Sequence, residues 1–319
     1  MKKSLALVLM MILCCALVFA GCGDKESDTT YLTMGTGSTS GTYYAYGAAL
    51  GTMLNNVEGL GVNVTVNSSG ASAENVRNIA AGEIDLAIMQ NDVLDYATYA
   101  TNTWTADPIT NARVIATLYP EIVQLVVATD SGITSVEDLK GKTVSIGDVG
   151  SGVETNAIQI LGAYGITLED INVAHLGFSQ SADAMKDRTI DAFFVTAAVP
   201  NTAVMDLSTS RDLTVLPLDA DVVAQLLNDY PFYAEVTLTD ADYSFLAAPV
   251  TTVAVKATLV CPAEADETLI YNLTKALFDN KAAISHDKVS YLSAESAVEG
   301  VSVEFHPGAA KYYKELNLM

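Results

Sequence analysis

Residues 31–56, YLTMGTGSTSGTYYAYGAALGTMLNN, decide the fold that the rest of the chain follows. The stretch begins with Tyr31–Met34, which favours a strand, and ends with apolar residues at helical spacing from Tyr43 to Leu54. The loop between them, 35–42, contains glycine, serine and threonine alone, so its backbone can turn tightly and approach a ligand closely. Because a helix start presents free N–H groups and a positive dipole end, the loop is either an anion-binding site or a well-capped turn.

The same order of elements occurs a second time along the chain. Lys142–Gly147 predicts a strand, 148–152 a glycine-containing loop, and Val153–Tyr164 a helix. The segments GEIDLAIMQND (82–92) and RTIDAFFVTAA (188–198) also correspond to each other. This alternation predicts an α/β fold with two mostly parallel sheets flanked by helices. Right-handed crossovers put both loops at the carboxyl edges of the sheets, and two such edges that face each other form a ligand cleft.

The order of elements also predicts how the chain divides into lobes. Strands are predicted at Val62–Asn67, Arg113–Leu118 and Gln124–Ala128 in the first part, and at Thr251–Val260 late in the chain. The late strands are expected to return to the first sheet. We therefore predict a discontinuous first lobe, 31–129 with 213–319, and a second lobe, 130–212.

The first residues predict a targeting segment. Lys2 and Lys3 precede an apolar run that is too short and wrongly flanked for a membrane-spanning helix, so 1–21 is expected to be a signal peptide. Gly21-Cys22 resembles a bacterial lipobox, which would leave Cys22 as a lipid-modified N-terminus and 22–30 as a tether. The alternative is an ordinary signal peptide with an incidental cysteine. If Cys22 is lipid-modified, we expect the protein to be exported and anchored to the outer face of the cytoplasmic membrane.

Composition and charge exclude several classes of partner. The 319 residues suit two domains, and half of them are hydrophobic, which allows a large core. The formal net charge of −22 repels nucleic acid and anionic lipid. Beyond the first 22 residues the sequence contains one cysteine, Cys261, so the mature domain has no intramolecular disulfide. We expect Cys261 to pack as a small apolar residue.

Sequence motifs for metal, nucleotide and nucleophile chemistry are missing. The chain contains no HExxH, CxxC, GxxxxGK[ST] or GxSxG motif, so we predict no metal, no cofactor and no catalytic residue. Residues 35–40, GTGSTS, imitate the dinucleotide fingerprint GxGxxG. However, Glu58 lies in a turn instead of on the second strand, where that fingerprint requires an acid. An exported lipoprotein is also a poor place for NAD.

Five segments together resemble the TAXI-type solute-binding proteins of TRAP transporters, within the type II periplasmic-binding-protein fold. They are TMGTGSTSGTYYAYGAAL (33–50), NVRNIAAGEIDLAIMQND (75–92), LYPEIVQLVVATDSGITSVEDLKGKTVSIGDVGSG (118–152), IDAFFVTAAVPN (190–201) and FHPGAAKYYKEL (305–316). The chain departs from the family at three pocket loops: it has Gln-Asn-Asp for Gln-Ser-Asp at 90–92, Gly-Ser-Gly-Val for Gly-Ser-Gly-Thr at 150–153, and Thr-Ala-Ala for Thr-Gly-Gly at 196–198.

The resemblance implies a set of ligand-binding residues on the matched segments. These are Thr36, Gly37, Ser38, Tyr43, Tyr44, Gln90, Asn91, Asp92, Tyr119, Glu121, Gly150, Ser151, Gly152, Val153, Thr155, Thr196 and Pro200. Several have a structural alternative. In these alternatives, Tyr43 packs in the core with its apolar helix neighbours, Glu121 is a solvated residue after Pro120, and Asp92 caps the helix that follows it.

The resemblance implies a binding protein and not an enzyme. Two lobes would close over a small solute and deliver it to the integral membrane subunits of a TRAP transporter. Because the pocket loops contain no Arg or Lys, two helix starts would hold the carboxylate, and Asp92 and Glu121 would favour an ammonium. We therefore expect an amino acid resembling glutamate or glutamine. A ligand-sensing protein that feeds a membrane sensor, and a lipoprotein enzyme, are the alternatives.

Overall fold

The first third of the chain alternates strands and helices as the sequence predicts. The computed structural model describes residues 29–319, so the predicted signal peptide, Cys22 and all but the end of the tether lie outside the described residues. The first elements are β1 (Thr30–Gly35), α1 (Thr42–Asn56), β2 (Val62–Asn67), α2 (Ser72–Ala81), β3 (Leu86–Gln90) and α3 (Asn91–Tyr99). Helix α2 ends at Gly82, whose φ of 69° is the left-handed conformation that glycine adopts without strain.

A single long strand, β4 (Ala112–Ala128), replaces the two strands predicted around Pro120. The prediction of a break was wrong because Pro120 stays in register with Lys256 of β10, and the antiparallel pairing continues on both sides of it. Proline supplies no N–H to a ladder, but its φ suits an extended chain. Glu121 therefore lies within a strand at the centre of the sheet and not in an exposed loop.

The remaining elements repeat the alternation and then return to the sheet. They are β5 (Thr143–Ser145), α4 (Gly152–Ala163), β6 (Asn172–Ala174), α5 (Phe178–Lys186), β7 (Ala192–Ala197), α6 (Thr202–Ser208), β8 (Leu213–Val215), α7 (Ala220–Asp229), β9 (Ala234–Leu238), β10 (Val250–Pro262), α8 (Glu267–Asp279) and α9 (Pro307–Glu315). Short 3-10 turns connect them. Among residues 29–319, no helix combines the length and the apolar character that a membrane span requires.

The strands form one mixed sheet, and the helices complete the predicted α/β fold. The strand order is β2-β1-β3-β10-β4-β7-β5-β6, with β8 beside β4 and β9 beside β10. Pairing is parallel between β1 and β3 and among β5, β6 and β7, but antiparallel wherever β4 or β10 takes part. Two mostly parallel sheets were predicted. They are joined because β10 pairs with β3, β4 pairs with β7, and β4 and β10 pair with each other.

The hydrophobic core consists of four clusters along this sheet. Two of them contain residues from the first part of the chain and from its end, for example Leu50 with Tyr313. Cys261 is a fully buried member of this group, as predicted, and burial raises the pKa of its thiol. The other two clusters contain the second half of β4 together with residues from 133–250, for example Val127 with Leu226.

The clusters bear on where the two predicted lobes meet. Tyr31–Met319 form one compact unit. Within it, residues 213–246 pack in the two clusters that contain Val123 and Phe193, and the predicted boundaries assign them instead to the first lobe. The division into lobes therefore stays a prediction, and the packing favours a second lobe that extends to about residue 250.

Candidate ligand-binding site

A cavity lies where the carboxyl ends of the parallel strands meet the starts of the helices. Its volume, as the space open to the centre of a water-sized sphere, is about 50 Å³. The wall is formed by Gly37, Ser38, Gly41, Thr42, Tyr43, Ala71, Ser72, Gln90, Glu121, Gly147, Asp148, Ser151, Gly152, Val153, Leu176, Gly177, Phe178, Thr196 and Ala197. The convergence of two halves of the chain on one cavity is typical of a site that binds a small solute.

Four helices begin at the wall of the cavity, two from each half of the chain. They are α1 at Thr42, α2 at Ser72, α4 at Gly152 and α5 at Phe178. The residue before α1 is Gly41, which has no side chain to cap the helix, so the first N–H groups of α1 keep no capping partner. The sequence predicted one helix start from each half, and α2 and α5 add two more. Together they surround the cavity with positive dipole ends.

Local contacts hold the second loop, 147–152, in place. The Ser151 hydroxyl accepts a hydrogen bond from the Glu154 N–H at 3.2 Å and caps α4. The Glu154 carboxylate accepts one from the Gly150 N–H at 2.7 Å. The Gly150 carbonyl in turn accepts a hydrogen bond from the Ala73 N–H at the start of α2, at 3.0 Å. The loop is therefore bonded to both halves of the chain.

Glu121 and Tyr43 form a buried, hydrogen-bonded pair on the cavity wall. The Tyr43 hydroxyl donates to Glu121 Oε2 at 2.5 Å, and both side chains are almost fully buried. Burial raises the pKa of Glu121 well above its usual range, although the hydrogen bond from Tyr43 opposes this shift. Burial also raises the pKa of Tyr43, followed by the effect of Glu121, so Tyr43 stays a donor. Both residues line the cavity. Tyr43 also belongs to a hydrophobic core cluster, as its alternative predicted, whereas Glu121 is buried and not solvated.

A chain of side-chain hydrogen bonds continues from the cavity into the protein. Gln90 Nε2 donates to Asn156 Oδ1 at 2.9 Å. Asn156 Nδ2 donates to Asp92 Oδ2 and to the Tyr233 hydroxyl, both at 3.0 Å. The hydroxyl of Tyr233 donates to Gln159 Oε1 at 2.7 Å. All five side chains are buried, so this network fixes how α3 and α4 pack.

Two buried polar atoms on the cavity wall have no hydrogen-bond partner. They are Gln90 Oε1 and Thr196 Oγ1. A buried polar atom without a partner costs about 1–3 kcal/mol, and a ligand that bonds to it removes this cost. Gln90 Oε1 is an acceptor, whereas Thr196 Oγ1 can donate or accept.

Nine of the predicted binding residues lie on the cavity wall. These are Gly37, Ser38, Tyr43, Gln90, Glu121, Ser151, Gly152, Val153 and Thr196. The other eight do not. Three of them bond to other parts of the chain: Thr36 donates to the Asn67 carbonyl, Asn91 bonds to the backbones of Gly300 and Lys256, and Gly150 bonds to Glu154 and Ala73. Asp92 belongs to the Gln90–Asn156 network, and Thr155 lies beside Thr103. Tyr44 and the buried Tyr119 also lie off the wall. Pro200 borders a separate cavity of about 210 Å³.

Several wall residues were not predicted. Thr42, Ser72, Gly177 and Phe178 come from helix starts, and Asp148 comes from the predicted second loop. The sequence pattern predicts a helix from Ser69 to Ala81 and a strand from Asn172 to Phe178. Ser72 was therefore placed inside a helix and Phe178 at the end of a strand, whereas both are the first residues of helices. The signal that could have found them is the rule that helices which follow parallel strands begin at the same sheet edge.

The charge of the wall is acidic. It contains the carboxyl groups of Glu121 and Asp148 and no Lys or Arg among the described residues. Partial burial raises the pKa of Asp148, with the negative Glu74 as a further cause. Within 29–319 no three His, Cys, Asp or Glu side chains lie close enough together to hold a metal ion. The groups that can attract an anion are therefore the helix starts, and those that can attract a cation are the carboxyls.

The comparisons with known proteins agree with this fold. The chain is similar to the periplasmic binding protein BugD, at 12% identity over 91% of this chain and 94% of that one, with a TM-score of 0.56. A protein of Bordetella bronchiseptica RB50 has 15% identity over 90% and 80%, with a TM-score of 0.56. A candidate L-cystine ABC transporter protein from Listeria monocytogenes has 15% identity over 82% and 94%, with a TM-score of 0.50. The fold is thus that of the periplasmic binding proteins.

The family follows from the sequence itself. The model of the NMT1-like family matches residues 34–316, so the chain belongs to the NMT1-like family. The predicted periplasmic-binding-protein fold is confirmed, and the family shown is the NMT1-like family. The narrower assignment to the TAXI proteins of TRAP transporters goes beyond these comparisons.

Proposed function

We propose that this protein is an extracytoplasmic solute-binding protein that captures a small zwitterionic carboxylate and delivers it to a membrane transporter. One observation carries the proposal: a cavity onto which four helix starts, the buried carboxyl group of Glu121 and the half-buried carboxyl group of Asp148 converge. Fold alone would not support it, because periplasmic-binding-protein folds host several functions. A bound solute would supply partners to the buried polar atoms of the wall that have none.

The proposed ligand is an amino acid resembling glutamate or glutamine. Its carboxylate would lie against the helix starts, each of which contributes about 0.3–2 kcal/mol to anion binding, depending on burial. Its ammonium group would face Glu121, the acidic side chain at the centre of the wall. A dicarboxylate would place its second charge beside Glu121 or Asp148 without a compensating cation, which is unfavourable in a buried site.

We propose that binding closes two lobes around this ligand. The long strands β4 and β10 are the continuous connections between the clusters, and a bend near Glu121 would change the distance between the helix starts. The hydrogen bond from Ala73 N–H to the Gly150 carbonyl would break on opening. Small-angle scattering checks this directly, because saturating ligand should reduce the radius of gyration, and tight binding without compaction would contradict the hinge.

The partner and the location are proposed from the sequence. The resemblance to TAXI proteins supports TRAP integral membrane subunits as the partner, and the Cys22 lipobox supports a lipid anchor on the outer face of the cytoplasmic membrane. Co-purification of membrane subunits with the lipidated protein tests the first point. Recovery of an ATP-binding cassette subunit in their place would contradict the TRAP assignment.

The experiment that tests the function identifies the ligand without a prior choice. Mass spectrometry of small molecules released on denaturation should recover an unmodified amino acid. Titration calorimetry with glutamate, glutamine, succinate and 2-oxoglutarate then ranks the classes. Tighter binding of succinate than of both amino acids would overturn the proposed ligand class, and chemical turnover of any of them would overturn the binding role.

A further inference from the structure

Gln90 lines the cavity, and the two ends of its amide group have opposite chemistry. The oxygen accepts hydrogen bonds and the NH₂ group donates them. Gln90 Oε1 is the buried atom without a partner, whereas Nε2 is bonded to Asn156. Which end faces the ligand decides whether the ligand must offer a donor or an acceptor at this point.

The partners of Asn156 fix the orientation of Gln90. Asp92 Oδ1 already accepts from the Val93 N–H at 2.9 Å, and its Oδ2 faces Asn156. Above about pH 7, where Asp92 is ionised, its carboxylate has acceptors alone, so Asn156 must turn its NH₂ group towards Asp92. The tests below are therefore made at about pH 8. The Oδ1 atom of Asn156 is then left on the opposite side, where it accepts from Gln90.

Tyr233 supports the same direction from a second element. Its hydroxyl proton is used in the bond to Gln159 Oε1, so the oxygen is free to accept from Asn156 Nδ2. Gln159 can accept because its own NH₂ group donates to the Tyr96 hydroxyl at 3.1 Å. Every donor in the sequence of bonds therefore has one acceptor, and reversing Asn156 would place its Oδ1 against the ionised carboxylate of Asp92.

Contact with α4 also holds the Gln90 side chain. A Cβ atom at Gly152 would lie 1.4 Å from Gln90 Oε1, so the oxygen occupies the space beside the first residue of α4. Gln90 is 2% exposed. The side chain is thus packed as well as bonded, and its free atom is an acceptor at the wall.

We infer that Asp92 and Asn156 are positioning residues that hold the Gln90 carbonyl oxygen towards the ligand, and that the ligand carries an N–H donor at this point. The inference rests on the proposed function, since it assumes that the cavity binds a solute. It narrows the ligand class to compounds with an ammonium or amide N–H group, and it gives Asp92 a role although Asp92 does not touch the cavity.

The first test compares two probes that differ in one group. L-Glutamate and glutarate share the two carboxylates, and glutarate lacks the ammonium. We expect the wild-type protein to bind glutamate at least about tenfold more tightly than glutarate. In Gln90→Met, this ratio of the two affinities should fall below about threefold. Gln124→Met is the matched control, because Gln124 is a buried glutamine on β4 whose oxygen bonds to Tyr243. The ratio is insensitive to partial unfolding, and an unchanged ratio in Gln90→Met would overturn the inference.

The second test addresses the positioning residues. Asn156→Leu should lower the ratio as Gln90→Met does, although Asn156 does not line the cavity. The double variant Asp92→Asn with Asn156→Asp reverses the bond between the two side chains but keeps an acceptor towards Gln90. We therefore expect it to restore the glutamate preference to within about threefold of the wild type. A double variant that behaves like Asn156→Leu would refute the proposed direction of the bonds.

A third measurement separates failure of the inference from failure of the proposed function. The side-chain NH₂ signals of Gln90, assigned by their loss in Gln90→Met, should exchange slowly with solvent in the wild type and rapidly in Asn156→Leu. Rapid exchange in both would overturn the positioning role. If the wild type binds neither probe, the proposed ligand class and the donor requirement are overturned together, while slow exchange still supports the orientation of Gln90.

Discussion

Gly152→Ala is expected to weaken both folding and binding through one added carbon atom. The new Cβ would lie 1.4 Å from Gln90 Oε1 and 2.2 Å from Gln90 Cδ, so the Gln90 side chain must leave its place. This breaks its hydrogen bond to Asn156 and leaves a buried oxygen unpaired, at about 1–3 kcal/mol. Alanine in a helix gains about 0.5–1 kcal/mol over glycine, which offsets a part.

Gly162 supplies the control in the same helix. A Cβ atom there meets nothing within 4 Å, so Gly162→Ala should show the helix gain alone. The free energies of unfolding of the two variants, measured by urea denaturation, should therefore differ by about 1–3 kcal/mol. In calorimetry with glutamate, Gly152→Ala should lose at least about tenfold in affinity and Gly162→Ala should lose none. Equal stabilisation by both alanines would refute the packing of Gln90 against α4.

Three further predictions address the acidic groups and the anchor. Tyr43→Phe removes the 2.5 Å hydrogen bond to Glu121 and should weaken glutamate binding about tenfold in calorimetry. Tyr44 lies off the cavity wall, so Tyr44→Phe should leave the affinity unchanged. Equal losses of affinity in the two variants would contradict the assignment of Tyr43 to the ligand site. Burial raises the pKa of Asp92 from 3.8 to about 7, so the folded protein holds a proton that the unfolded chain releases between these values. The contribution of this proton to stability is complete below about pH 4 and is lost as pH rises through about 7. The urea midpoint of the wild type should therefore fall over this range, and Asp92→Asn should flatten the fall. Parallel pH profiles of the two proteins would argue against the raised pKa of Asp92. Cys22→Ala should abolish lipid labelling and release the protein from membranes, and retained labelling would exclude the lipobox.

The sequence predicted the elements well wherever one local signal decided them. Strand β2 has the predicted bounds, and Gly82 ends α2 because glycine adopts the left-handed conformation freely. The break at Pro120 was predicted wrongly, because proline weakens strand propensity locally whereas β10 holds the strand through pairing that lies far away in sequence. Sheet connectivity depends on such distant partners, so the single mixed sheet could not be deduced from local patterns.

The residues of the cavity wall were predicted only in part, because several of them are brought together by elements that lie far apart in sequence. The glycine-containing loops were found because their residue types differ from those of core segments, and Glu121 was proposed from the resemblance to the TAXI proteins. Asn156 was not found, since it lies in the middle of a helix where nothing in the local pattern distinguishes it from a solvent-exposed polar residue. Its role arises from the packing of α4 against α3, which brings it to both Gln90 and Asp92. Residues that act through a second side chain require the tertiary structure.

The arrangement of charge around the cavity is the reason that we propose a zwitterionic ligand and not one with a single charge. The helix starts provide positive potential without a titratable cation, so they lose none of it as pH changes. The carboxyl of Glu121 lies opposite and is hydrogen-bonded to Tyr43 alone among side chains that the structure describes. Burial favours its neutral form, and a bound ammonium would favour its ionised form. Binding of an amino acid would then release a proton from Glu121, whereas binding of a dicarboxylate would retain it, so the proton release measured by calorimetry in buffers of different ionisation enthalpy distinguishes the two ligand classes.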